Sequence, residues 1–124
     1  MSTYRALLIL GPGSLLTREE VVTEVRKREL SQSIKIEIVR VGDKVAPSEL
    51  AHTTKKILPN YDLYVGVRGK RFRHRQKLLQ SETVALIGRR ETNYSVPPRS
   101  LRRNPSRSAA EVLVDLILKK LEIV

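Results

Sequence analysis

Cysteine and tryptophan are both absent from the 124 residues, and only five side chains are aromatic. Without thiols, a disulfide scaffold, a thiolate zinc site, an iron–sulfur centre and a cysteine nucleophile are excluded. Long apolar runs are missing too. The longest, Ala6 to Leu10, is the size of a strand and far short of the ~18 residues that cross a bilayer. The start, Met1 to Arg5, lacks the apolar stretch and small-residue cleavage site of a secretion signal. The sequence therefore predicts a cytoplasmic protein with no membrane partner.

Acid–base and metal chemistry are poorly supplied. Two histidines, His52 and His74, and three aspartates, Asp43, Asp62 and Asp115, show no His-x-x-x-His or similar ligand spacing. No Gly-x-Ser-x-Gly elbow occurs. The reading leans away from an enzyme and assigns no catalytic residue, metal or cofactor.

What the chain has in quantity is positive charge: 24 Lys and Arg against 13 Asp and Glu, a net charge of +11. It is strongly localised. Between Tyr64 and Arg107 lie Arg68, Lys70, Arg71, Arg73, Arg75, Lys77, Arg89, Arg90, Arg99, Arg102, Arg103 and Arg107, opposed by Glu82 and Glu91 alone. That window holds ten of the eleven net charges. Such an excess repels itself and persists more easily when a polyanion neutralises it. Arginine dominates the set, and its planar fork pairs bidentately with phosphate and stacks on bases.

Hydropathy patterning supplies the elements. Tyr4 to Leu10, closed by Gly11-Pro12-Gly13, reads as a strand buried on both faces. Thr17 and Glu20 have capping-box spacing and open a helix over 17–30. Ile34 to Val41 alternates as a strand. A helix opens at Pro47 and stops at Pro59. Asp62 to Val67 and Thr83 to Ile87 read as strands, with a short basic helix over Lys70 to Gln80 between them and a fifth strand near Asn93 to Val96. Pro97 to Arg107 reads as a mobile Pro/Arg/Ser loop. Ser108 and Glu111 form a second capping box before a helix over Ala109 to Leu121, apolar around most of its circumference. Such a helix is covered on two sides, by its own sheet or by a second copy in a homodimer. The alternation predicts one α/β domain over 1–124: a three-layer α/β/α sandwich around a mostly parallel, mixed sheet of four to five strands.

The basic segment from Arg68 to Lys77 carries the functional signal. As a helix, Lys70, Arg73 and Lys77 form one cationic ridge and Arg71 and Arg75 another, with Gly69 leaving the helix start open to a phosphate. His74 is a phosphate or base contact. Tyr64, Phe72 and Tyr94 are available for base stacking, Tyr94 being the best candidate and Phe72 reading as core. Arg89, Arg90, Arg102 and Arg103 extend the track. The Gly11–Ser14 turn stands where a phosphate loop would, but it lacks the Gly-Lys-Ser/Thr ending and the third glycine of the dinucleotide fingerprint.

From Ile34 onward the order of residues resembles the C-terminal anticodon-binding domain of class II aminoacyl-tRNA synthetases, of the type shared by the His, Gly, Thr and Pro enzymes. The likeness rests on Ile36-Glu-Ile-Val-Arg-Val-Gly42, the 48–58 helix, Asp62 to Val67, Gly69-Lys-Arg-Phe-Arg-His-Arg-Gln-Lys77 and Val84-Ala-Leu-Ile-Gly-Arg-Arg-Glu91. Residues 1–33 lie outside it, and the stretch after Tyr94 is longer and richer in arginine than the family pattern. The resemblance implies a free-standing RNA-binding relative, with Lys70 to Lys77 and the strand ends near Gly88 to Glu91 facing RNA. It favours RNA, tRNA-like or single-stranded, over DNA. Two alternatives stand beside it. One is a small nucleotide-binding or nucleic-acid-processing enzyme using the Gly11–Ser14 turn. The other is a dimeric structural subunit whose basic patch meets an acidic protein.

Overall fold

The computed structural model describes residues 3–70, 81–91, 98–102 and 106–122, with Lys70, Ser81 and Arg102 described by backbone alone. In chain order these form β1 (Tyr4–Leu10), α1 (Arg18–Lys27), β2 (Ile34–Arg40), α2 (Pro47–Ile57), β3 (Leu63–Lys70), β4 (Ser81–Gly88), β5 (Arg99–Arg102) and α3 (Ala109–Leu121). Both expected N-caps form: the Thr17 hydroxyl accepts from the Glu20 amide, and the Ser108 hydroxyl from the Glu111 amide. Pro47 occupies the first turn of α2, where its missing N–H costs nothing.

The fold is α/β, built on one mixed five-stranded sheet in the order β2-β1-β3-β4-β5. β1 pairs parallel with β2 and β3, while β4 pairs antiparallel with β3 and β5. Four strands thus run one way and β4 alone runs against them.

Strand alternation sorts the core into two clusters. Leu8, Val65, Val67, Val84 and Leu101 pack with Val21 and Val25 of α1 and with Leu113, Val114 and Ile117 of α3. Leu7, Ile9, Tyr64 and Ile87 pack with Leu50 and Ala51 of α2. Two helices therefore cover one face of the sheet and a single helix the other. α3 buries its apolar circumference against the sheet and against α1 of the same chain. Arg28 reinforces that helix pair, bonding to Glu24 at 2.8 Å, Asp115 at 2.5 Å and the Glu111 carbonyl at 3.2 Å.

Two segments depart from the sequence reading. β3 continues through Arg68 and Gly69 to Lys70, and β4 begins at Ser81, in the register Lys70↔Ser81 and Gly69↔Glu82. Gly69 and Lys70 are strand residues, so Gly69 opens no helix, and the β3–β4 connection returns antiparallel instead of crossing over. The remainder of the expected helix, 71–80, lies outside the described residues, as does the expected strand at Asn93 to Val96. Within the stretch read as a loop, Arg99–Arg102 form β5. The reason is Leu101, the stretch's single aliphatic side chain, which is fully buried against the α3-covered face.

Among the described residues no helix is long and apolar enough to cross a membrane.

Candidate nucleic-acid interface

The sheet register decides which basic residues share a location. Lys70 pairs with Ser81, and Ser81 with Arg102, so the end of β3, the start of β4 and the end of β5 form one transverse row. Arg68, Thr83 and Ser100 form a parallel row two residues below. The connection 71–80, with Arg71, Arg73, His74, Arg75 and Lys77, is anchored at both ends in the first row. The segment starting at Arg103 leaves from the same row. Two basic stretches about thirty positions apart in sequence are thereby tethered to one end of the sheet.

Arg89 and Arg90 stand elsewhere. Gly88 pairs with Leu63, seven residues along β4 from Ser81 and about 23 Å away at the usual strand rise. Their turn is fixed from several sides. The Arg89 amide donates to the Asp62 carbonyl at 3.0 Å, the Glu91 amide to the Gly88 carbonyl at 3.2 Å, and the Lys55 ammonium to the Gly88 and Glu91 carbonyls. Arg89 and Arg90 are presented rigidly at the opposite end of β4, not as a continuation of the Lys70–Arg102 row. Any polyanion that meets both groups spans the length of that strand.

The acidic residues of the window do little to quench this charge. Glu91 pairs with Lys120 of α3. Glu82 is 2% exposed and faces the α1/α3 side, as its strand neighbours Val84 and Leu86 do. Its Oε1 accepts from the Ser14 hydroxyl at 2.5 Å, the Leu15 amide at 2.6 Å and the Leu16 amide at 3.3 Å, while Oε2 is buried without a partner. The carboxylate at this end of the sheet is held by backbone and hydroxyl donors, and among the described residues no cation pairs with it. Arg107, by contrast, is engaged by Glu111 and Asp115, and Arg89 lies 4.0 Å from Asp62.

The same contacts settle what the Gly11–Ser14 turn does. The connection through α1 leads from β1 to one side and that through α2 returns to the other, so β1 and β3 flank the switch point where open α/β sheets bind ligands. Here that crevice is filled by the chain itself. Gly11 donates to the Val67 carbonyl at 2.7 Å and Gly69 to the Pro12 carbonyl at 3.2 Å. Gly13 adopts a φ of +80°, and a Cβ on Gly69 would collide with its carbonyl. Arg40 closes the outer side, bonding the Ser14 and Leu16 carbonyls at 3.4 and 2.7 Å. The amides of Leu15 and Leu16 that would cradle a phosphate already hold Glu82.

Sequence reasoning missed Glu82. Its parity with Val84 and Leu86 was the available signal: a carboxylate in phase with the buried face must find donors inside. Tyr64 is a core residue and no stacking platform. It is wholly buried, donates its hydroxyl to the Leu58 carbonyl and meets Tyr61 edge-on, ring centroids 5.8 Å apart. Arg71, Phe72, Arg73, His74, Arg75, Lys77, Tyr94 and Arg103 lie outside the described residues. His52, on α2, is held below its ordinary pKa by burial and by Lys56 and Lys55. Among the described residues no three His, Asp or Glu side chains cluster as metal ligands.

No family model matches the chain, and no curated protein does. Among solved structures the chain is similar to protein VC0702 from Vibrio cholerae, at 12% identity and a TM-score of 0.46, with 94% of this chain and 78% of that one covered.

Proposed function

We propose that the chain is a non-catalytic nucleic-acid-binding domain that takes RNA in preference to DNA. The observation that supports this reading is the strand register that sets Lys70 and Arg102 in one row of the sheet, beside a carboxylate that is buried and held by the Ser14 hydroxyl and the Leu15 and Leu16 amides. Lys70, Arg71, Arg73, Arg75, Lys77, Arg102 and Arg103 then neutralise phosphates at that end together with Arg68, and Arg89 and Arg90 meet a separate part of the polyanion. The resemblance to anticodon-binding domains puts tRNA first among the RNAs. A nucleotide-binding enzyme built on the Gly11–Ser14 turn is disfavoured because the turn's donors hold Glu82.

Fluorescence anisotropy with tRNA, single-stranded RNA and duplex DNA over a salt series tests the proposal. About five phosphate contacts predict a slope of log K against log salt between roughly −3.5 and −4.5. Absence of binding to all three at low salt rejects the reading.

A further inference from the structure

The two edges of the sheet are unlike. β5 closes one side with four residues, Arg99 and Arg102 among them, and short charged edges resist pairing with another chain. β2 closes the other side with seven residues, Ile34–Arg40, free of proline and glycine, and has a strand on one flank only. Its ladder to β1 fixes which backbone groups are used. The Tyr4 amide donates to the Ser33 carbonyl and the Val41 amide to the Leu10 carbonyl, each at 3.0 Å. In a parallel strand the N–H and C=O of one residue point to the same side, and the side alternates along the chain. Lys35, Glu37 and Val39 therefore bond to β1, while the backbones of Ile34, Ile36 and Ile38 face outward. Of these outward groups, only the Ile34 amide has a partner among the described residues, the Leu30 carbonyl at 3.0 Å.

The side chains of this edge complement one another. On the α1 side Ile36 and Ile38 are half-buried, beside a groove of about 210 Å³ lined by Val22, Val25, Ile34 and Ile36. On the α2 side Lys35 and Glu37 carry opposite signs two residues apart, with Lys35 exposed and its Nζ 3.9 Å from Glu37 Oε1.

We infer that two copies of this chain pair antiparallel through β2, about a two-fold axis at Ile36, and join their sheets into one. Outward-facing residues must meet outward-facing ones, and charge then chooses among the possible axes. An axis at Lys35 or at Glu37 sets two like charges against each other, and one at Ile38 leaves Glu37 opposite Val39. At Ile36, Lys35 faces the partner's Glu37 on both sides of the axis. Opposite charges directly across a ladder stabilise it, and like charges do the reverse. In that register the two Ile36 residues exchange both backbone bonds, and each Ile38 amide reaches the partner's Ile34 carbonyl. The partner's Ile38 side chain, opposite Ile34, enters the groove beside α1. The inference is independent of the nucleic-acid reading, since β5 stays at the outer edge of each copy.

Sedimentation velocity of the nuclease-treated chain, from about 1 to 100 μM, is the test. Wild type is expected to pass from monomer to dimer in that range. Lys35→Glu sets carboxylates opposite the partner's Glu37 and raises the dissociation constant at least about tenfold, with an unchanged circular dichroism spectrum. Ile36→Pro, which deletes an outward amide and no bond of the β1 ladder, has the same effect. Ile57→Ser, at the exposed end of α2, leaves the dimer intact. A wild-type chain that stays monomeric throughout overturns the proposal, and so does a dimer that either β2 variant leaves as tight as wild type. Loss of the dimer in Ile57→Ser alone would place the interface on α2 and overturn it equally.

Discussion

Ser14 and Glu82 stand 68 positions apart in the chain, and the Ser14 hydroxyl donates to Glu82 Oε1 at 2.5 Å. With the amides of Leu15 and Leu16 on the same oxygen, this pairing ties the β1–α1 turn to the first residues of β4. A turn that in other α/β sheets receives an anion from outside here receives one from within.

Removing that internal anion strands three donors in a buried site. Glu82→Ala is predicted to lower stability by about 2–4 kcal/mol, the cost of leaving buried N–H and O–H groups unpaired. Urea unfolding measures it. A loss below about 0.5 kcal/mol would mean that the carboxylate does not organise the turn.

Gly66 is tested in the same assay. Its missing side chain lets the backbone of α2 sit directly on β3, and a Cβ there meets the Pro47 carbonyl, which belongs to backbone and cannot swing aside. Gly66→Ala should cost at least about 2 kcal/mol. Gly42→Ala, where a Cβ meets nothing within 4 Å, should stay within about 0.5 kcal/mol. Equal effects at the two positions would contradict the close approach of α2.

Much of this architecture was legible beforehand. β1, α1, β2, α2 and α3 follow from apolar period, capping boxes and proline positions, because those signals are local. The ends of β3 and β4 were not legible. Arg68, Gly69, Lys70, Ser81 and Glu82 have little strand propensity, and their pairing comes from each other across the hairpin and from the Gly13–Gly69 approach. β5 was hidden because arginine and serine surround Leu101, and only its burial beneath α3 makes a strand of it. The location of the basic residues was legible as a count but not as a place. Sequence adjacency joined Arg89 and Arg90 to the 68–77 segment, whereas the antiparallel register sets them a strand's length apart.

The cluster at the edge of β1 and β2 carries a pH signature. The Tyr61 hydroxyl donates to Glu37 Oε2, and Arg5 lies over the Tyr61 ring, 4.8 Å from its centre. The Tyr61 bond, helped by Arg5 and Lys35 and opposed by desolvation, holds Glu37 below its ordinary pKa. That same bond, with burial, raises Tyr61. Glu37's share of stability is present above its unfolded value and is lost as pH falls through the folded one. Tyr61's share is present below its unfolded value and is lost as pH rises through the folded one. The gap in melting temperature between wild type and Tyr61→Phe should therefore be widest near neutrality and close below about pH 4 and above about pH 10. A gap independent of pH would show that the bond does not couple to folding.

The most direct measurement for the nucleic-acid reading is the salt slope of RNA binding in wild type and in Arg71→Glu with Arg75→Glu. Losing two phosphate contacts should flatten the slope by roughly 1.5–2 and weaken binding to every RNA alike, with unchanged unfolding. Equal slopes in the two proteins, or tight binding that ignores salt, would contradict a phosphate-holding role for the basic end of the sheet.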